Sequence, residues 1–276
     1  ADNVLNLAVR GDFDDCQRLV KQLLADESLR ERGRLSSVHS INWGRLAGQI
    51  PYYVSATLQL GQAAHFVVPT GNFGDAFAGI AAHKMGLPVA SMTAAVNQND
   101  ALDRAVNEGV YDRRPAVESA SVSMDVQAPS NFERLVFEAS GRDADQTRQL
   151  FEDFAANGTV TLPDDLRKAL RAETAAVSVD EATTAAEIRH AHEAWGRVVC
   201  PHPAVALHAA RKIDRNGAPV VALSTAHPSK FGGYVESVLG IAPEAAPVIA
   251  ALGERPERLA IIDSDYASAR DAVGSF

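Results

Sequence analysis

The chain reads as an α/β protein with a mainly parallel sheet and an added helical lobe, on three observations. Apolar runs bounded by Gly, Pro and Asn alternate with amphipathic stretches, which is the pattern of βα units. One stretch, His65 to Val89 (HFVVPTGNFGDAFAGIAAHKMGLPV), runs as a buried strand, a glycine-bracketed turn and a helix. After about Pro129 the texture becomes acid-rich and helical, until an apolar run returns near Pro219.

In chain order, Val4–Val9 is the first candidate strand. Asp14–Leu24 follows as a helix whose acidic start suits the positive end of the helix dipole. Asn42–Leu60 carries apolar residues at helical spacing. Ala64–Val68 is a second strand, and Gly71–Gly86 is the helix after it, closing on a glycine stop signal. Pro88–Ala94 is a third strand. Asn131–Ala139, Asp143–Ala155, Pro163–Ala172 and Asp180–Trp195 are the helices of the lobe, and Pro219–Ser224 is the strand at which the sheet resumes. The expected organisation is an α/β domain whose first part is 1–128, a helical lobe or insertion over 129–200, and the remainder of the α/β domain over 201–276. No internal repeat is evident.

With 276 residues, 46% hydrophobic and 22% charged, the chain can bury a sizeable core. Its formal charge of −9 argues against nucleic-acid and anionic-membrane partners, which need clustered Lys and Arg. Cys16 and Cys200 lie in no CxxC or Cys/His ligand spacing, so no metal site and no disulfide framework is expected, and the default is a reduced, cytoplasmic compartment. No apolar run reaches the ~18 residues needed to cross a bilayer. The start, ADNVLNLAVRGDF, has no basic segment followed by an apolar one, and a strand-like run so near residue 1 is expected of a cut inside a domain.

Three clusters carry chemistry. In Pro69-Thr70-Gly71-Asn72-Phe73-Gly74-Asp75, two glycines allow close backbone approach, and the amides of the following helix turn point outward as a cup for phosphate. The same pattern also occurs as plain architecture. It is not a Walker loop, since no GK[ST] follows, and the GxGxxG spacing is absent. In Ser40-Ile41-Asn42-Trp43-Gly44-Arg45, a hydroxyl, an amide and a guanidinium gather at a helix start, and Arg is well shaped to clamp phosphate. An N-cap with a solvated Arg reads equally well. In Ala222-Leu223-Ser224-Thr225-Ala226-His227-Pro228, polar residues follow an apolar strand at its carboxyl end, where open α/β sheets bind ligands, although a Pro-ended turn looks the same. Ser123–Val126 with Phe132–Arg134, and Cys200-Pro201-His202-Pro203, read as packing or capping devices.

Taken together these blocks resemble the threonine synthase family, a pyridoxal-phosphate (PLP) family with the tryptophan-synthase β-like fold (fold type II). The resemblance rests on GDFDDCQRLVK, SINWGRLAGQIPYY, FVVPTGNFGDAFAGIAAHKMGLP, the Asn-Asp after a strand, MDVQAPSNFERLVFE, PHPAVALHAA and STAHPSKF, in family order from about Val4 to Leu239. It implies a fold type II large domain with pyridoxal 5'-phosphate as cofactor. Gly71, Asn72, Phe73, Gly74 and Asp75 would hold the cofactor phosphate. Thr225 would meet the pyridine nitrogen with a hydroxyl, which leaves the ring neutral. Ser40, Asn42 and Arg45 would hold the phosphate of O-phospho-L-homoserine, converted with water to L-threonine and phosphate. The family's cofactor-anchoring lysine belongs to a Phe-Lys-Asp type motif, and none of Lys21, Lys84, Lys168, Lys212 and Lys230 stands in that context. The expectation is therefore a C-terminal portion with no catalytic residue of its own, inactive without a missing N-terminal segment. Alternatives are a PLP-dependent β-eliminating dehydratase, disfavoured because it has no substrate phosphate to grip, and a non-catalytic paralogue that binds a phosphorylated ligand. Three residues depart from the family pattern: His39 and Asp75, each where Asn is usual, and Cys200, where Asp is usual.

Overall fold

The computed structural model describes residues 3–33, 35–252 and 255–276. The chain forms two compact units, residues 1–38 with 247–276, and residues 39–246. The elements run β1 (Asn6–Arg10), α1 (Phe13–Ala25), α2 (Glu27–Gly33), α3 (Trp43–Ala47), α4 (Ile50–Leu60), β2 (Ala64–Pro69), α5 (Gly74–Lys84), β3 (Val89–Val96), α6 (Ala101–Asn107) and β4 (Val110–Asp112). They continue with α7 (Phe132–Ala139), α8 (Ala144–Asn157), β5 (Thr159–Thr161), α9 (Asp164–Glu173), β6 (Ala175–Ser178), α10 (Glu181–Trp195), α11 (Pro201–Arg211), β7 (Val220–Ala222) and α12 (Gly232–Leu239). The chain closes with α13 (Pro247–Ala250), β8 (Leu259–Asp263) and α14 (Tyr266–Gly274).

The smaller unit is a parallel pair, β1 on β8, with Asn6 opposite Leu259 and Arg10 opposite Asp263. Its helix α1 starts with a reciprocal cap, in which Asp12 accepts from the Asp15 amide and Asp15 from the Asp12 amide. This is the acidic helix start that the sequence predicts.

The larger unit carries an all-parallel sheet in the order β6-β3-β2-β7, with an antiparallel β4-β5 ribbon beside it. The six residues of β2 are all buried, as expected of a strand covered on both faces. Side chains alternate across it. Phe66 and Val68 join Ala94 and Val96 in a core with α4, α5 and α6, while Val67 and Ala95 face Val205, Ala206 and Ala209 of α11. The sheet is thus sandwiched between two helical layers, the α/β architecture with mainly parallel strands that the alternation of elements predicts. Among the described residues no helix is long and apolar enough to cross a membrane.

Several expectations shift. The first strand pairs with β8 rather than entering the four-stranded sheet. The helix expected over Asn42–Leu60 is two helices, because Gly48 ends α3 and Pro51, lacking an N–H, stands in the first turn of α4. The helix expected from Gly71 starts at Gly74, since 71–73 form the turn. Residues 129–200 are not helical throughout. They include β5 and also β6, whose Thr93↔Ala175 to Val96↔Ser178 register makes it a strand of the main sheet. Strands of three or four residues leave too little alternation to be seen in sequence.

Tyr111 of β4 stacks on Phe154 at 4.3 Å between centroids and packs against Phe132 at 4.7 Å, tying the ribbon to α7 and α8. Phe132 is fully buried and follows the loop that reaches the candidate site. Phe132→Ala is expected to lower the unfolding free energy by about 3–5 kcal/mol. Denaturant titration measures it, and a loss below about 1 kcal/mol would remove Phe132 from the core.

Candidate anion-binding site

The carboxyl ends of β2 and β7 leave one edge of the sheet side by side. Val67 pairs with Ala222, and the Leu223 amide donates to the Val67 carbonyl at 2.9 Å. After β2, Thr70 is pinned, its amide donating to Ala95 O at 2.7 Å and its hydroxyl to Val68 O at 2.7 Å. The chain then turns through Gly71 and Asn72 to Phe73, a left-handed residue (φ 61°) whose ring is buried. That turn starts α5 with no side-chain cap. Among the described residues, the amides of 71–76 donate to no protein acceptor. Consecutive unpartnered amides at the start of an 11-residue helix form a candidate anion cup, the arrangement that can accept a phosphate's oxygens.

The two glycines are required by protein contacts. A Cβ on Gly71 would stand 2.5 Å from the Ser123 carbonyl oxygen, and one on Gly74 would stand 2.7 Å from Ser40 Cβ. The first glycine therefore admits the 123–124 backbone, whereas the sequence reading gave it to a ligand. The second brings the Ser40 loop against the cup. Ser40 Oγ is buried there, with no hydrogen-bond partner among the described residues. An orphaned hydroxyl beside open amides fits an anionic group with acceptor oxygens.

Asn72 joins three loops. Its Oδ1 accepts from the Ser130 amide (3.2 Å) and hydroxyl (3.3 Å), and its carbonyl accepts from the amide and Nδ2 of Asn131 (3.2 and 3.0 Å). Its Nδ2 lies 3.2 Å from His39 Nε2, which accepts as a neutral imidazole. Burial lowers the His39 pKa, and the charge of Arg45 lowers it further. Arg134 completes the clasp, donating from Nε to Asn131 Oδ1 (2.9 Å) and from Nη2 to the Ile41 carbonyl (3.0 Å).

Asn42 caps α3, its Oδ1 accepting from the Gly44 amide at 2.9 Å. Arg45, one turn on, is exposed, and among the described residues no carboxylate pairs with it. Its charge is felt at both His39 and Asp75. Asp75 is turned into the protein, where Tyr53 Oη donates to its Oδ1 (3.0 Å) and to its carbonyl (2.8 Å). Burial raises the Asp75 pKa above the usual carboxylate range, against the lowering by Tyr53 and Arg45. Thr225, three residues past the last pair of β7, is exposed and makes no hydrogen bond within the described protein.

One network escaped the sequence reading. Beyond β3, Asp125 collects the Ser119 amide (3.0 Å), the Ser119 hydroxyl (2.6 Å), Asn97 Nδ2 (2.7 Å) and Asn99 Nδ2 (3.0 Å). It fixes the segment that delivers Ser123 to Gly71. Its only local signal was an Asn-rich strand end with a Ser-rich loop. Among the described residues no three His, Cys, Asp or Glu side chains converge as a metal set.

Comparison with known proteins shows what the chain is similar to. The family model described as "Threonine synthase, C-terminal" matches residues 203–273. The chain is 40% identical to a threonine synthase of Pseudomonas aeruginosa over 99% of its own length and 59% of that protein, and 37% identical to one of Methylobacillus glycogenes over 96% and 58%. It superposes on a PLP-bound threonine synthase from Brucella melitensis with a TM-score of 0.87 at 39% identity, covering 98% of this chain and 59% of that one. The threonine synthase of Escherichia coli gives 0.81 at 33%, covering 99% and 59%. The chain thus spans about three fifths of the length of the relatives it matches.

Gly71→Ala sets a methyl group against fixed backbone, so the variant is expected to lose about 1–3 kcal/mol of stability. Thermal melting checks this, and an unchanged midpoint would mean that Ser123 does not abut the turn.

Proposed function

Because the chain belongs to the threonine synthase family, we propose that it carries the anion-binding half of an enzyme that converts O-phospho-L-homoserine and water to L-threonine and phosphate with pyridoxal 5'-phosphate. The observation that supports this reading most is the run of open amides at 71–76 beside the orphaned Ser40 hydroxyl. Two phosphates must be gripped in this reaction, one on the cofactor and one on the substrate, and the Gly74–Ser40 contact sets the two candidate loops against each other.

In this reading the amides from Gly71 to Asp75 hold the cofactor phosphate, with Asn72 and Phe73 fixing their direction. A carboxylate beside a phosphate dianion is unfavourable, and the raised pKa of Asp75 and its bond to Tyr53 reduce that conflict. Thr225 offers its hydroxyl to the ring nitrogen from the neighbouring loop. Ser40, Asn42 and Arg45 take the substrate phosphate, Arg45 supplying the charge that balances it on binding and as it leaves. When bound, the cofactor supplies an electron sink for carbanion character developing on the substrate.

The cofactor-anchoring lysine lies outside this chain in the same reading. Lys84 is committed to Glu173 at 2.6 Å, and the Lys230 ammonium lies over the Phe231 ring at 5.5 Å. The two cysteines are free, in keeping with a cytoplasmic enzyme.

The direct test supplies the chain with the family's preceding segment and follows phosphate release from O-phospho-L-homoserine. Phosphate and threonine in equal amounts are expected. A folded, cofactor-loaded protein that releases neither, or that instead releases ammonia from serine, would replace this reading with an inactive paralogue or a dehydratase. In the same assay Arg45→Ala is expected to raise KM about thirty-fold, the equivalent of about 2 kcal/mol, with little change in cofactor affinity. Equal loss of both would take Arg45 out of the substrate site.

A further inference from the structure

The segment Cys200-Pro201-His202-Pro203 has no part in the reading above, yet His202 touches both the Ser123 backbone behind Gly71 and the turn that follows Thr225. It is buried in the first turn of α11. Its Nε2 accepts the Ser123 amide at 3.3 Å, and Ser123 in turn presents its carbonyl to Gly71. On the other side, the His202 ring packs on Phe231 at 4.6 Å between centroids, and Phe231 ends the 3-10 turn Pro228–Phe231 that follows Thr225.

The protonation state follows from these contacts. Since Ser123 donates an amide, Nε2 must be bare, so the neutral ring carries its proton on Nδ1. That nitrogen lies 3.2 Å from Cys200 Sγ. Burial pushes the His202 pKa down to about 4 and the Cys200 thiol up to about 11, so the pair is uncharged near neutral pH. A charged imidazole would lose the bare nitrogen and leave the Ser123 amide without its acceptor.

We propose that His202 is a positioning residue for the anion cup: by accepting the Ser123 amide it fixes the backbone against which Gly71 turns, and so aims the amides of 71–76 at the cofactor's phosphate. The proposal rests on the functional reading above, in which that cup takes the phosphate. The bond it depends on is a single acceptor on a short turn. Val122–Met124 is a three-residue 3-10 helix, held at Met124 by packing with Val67 and Val205 and at Ser123 by His202. Without the acceptor, the Ser123 amide seeks another partner and the turn is free to shift under Gly71.

The test compares pyridoxamine 5'-phosphate with pyridoxamine, which share a ring, lack the aldehyde that reacts with surface lysines, and differ in the phosphate. Equilibrium dialysis against the full chain gives both affinities. His202→Phe keeps an aromatic ring on Phe231 and removes the acceptor. His202→Gln keeps an acceptor near the Nε2 position. His202→Phe is expected to weaken pyridoxamine 5'-phosphate about tenfold while pyridoxamine changes little, and His202→Gln is expected to restore most of the loss. Equal weakening of both ligands, no weakening, or a Gln variant as poor as the Phe variant would overturn the proposal. If the parent chain itself does not distinguish the two ligands, the cup holds no phosphate and the functional reading falls first. Should His202→Phe not fold, the side-chain nitrogen shifts of His202 in 15N-labelled parent decide. A bare Nε2 is expected, and a proton on it would refute the proposed bond.

Discussion

Asn72 fastens three loops that the chain brings from far apart, and the shape of the candidate anion turn depends on that fastening. It takes Ser130 and Asn131 from 58 and 59 residues downstream and His39 from 33 upstream. A turn that leaves six amides open and holds a non-glycine residue at positive φ is not stable by its own hydrogen bonds. Its shape has to be imposed by neighbours. Asn72 and Arg134 impose it from one side, while Ser123 and the network around Asp125 do so from the other. The amides are thereby held in one arrangement, which would reduce what binding must organise.

Charge around the cup is arranged with similar economy. Asp75 and Tyr53 meet within α5 and α4, and burial makes the carboxylate easier to protonate. His39 stays neutral because it is buried near Arg45. What is left around the turn is the exposed Arg45 guanidinium, open amides and the buried Ser40 hydroxyl, a set complementary to phosphate and poor for a cation.

Much of this frame is legible in sequence. β2 is a mostly apolar run of six residues followed closely by a Gly-Asn-Phe-Gly turn, so both the strand and the turn announce themselves. The parallel sheet follows from strands that read as continuous apolar runs, buried on both faces. β6 is not legible. Ala175–Ser178 is short and lies between two acidic helices, so only its pairing with β3 reveals that the supposed lobe supplies a strand. Likewise Ser130, Asn131 and Arg134 look like the cap of α7, and nothing local shows that they grip Asn72.

The residues alone therefore determined most kinds of element, the position of the glycine-bracketed turn before α5 and, through block-by-block resemblance, the family. Those properties are written in near neighbours, where periodicity, glycine and proline act directly on the backbone. Tertiary structure decided which groups meet: Gly71 with Ser123, Gly74 with Ser40, and Asp75 with Tyr53. Such contacts join residues tens of positions apart and leave no periodic trace, because they arise only when separate elements pack against one sheet edge.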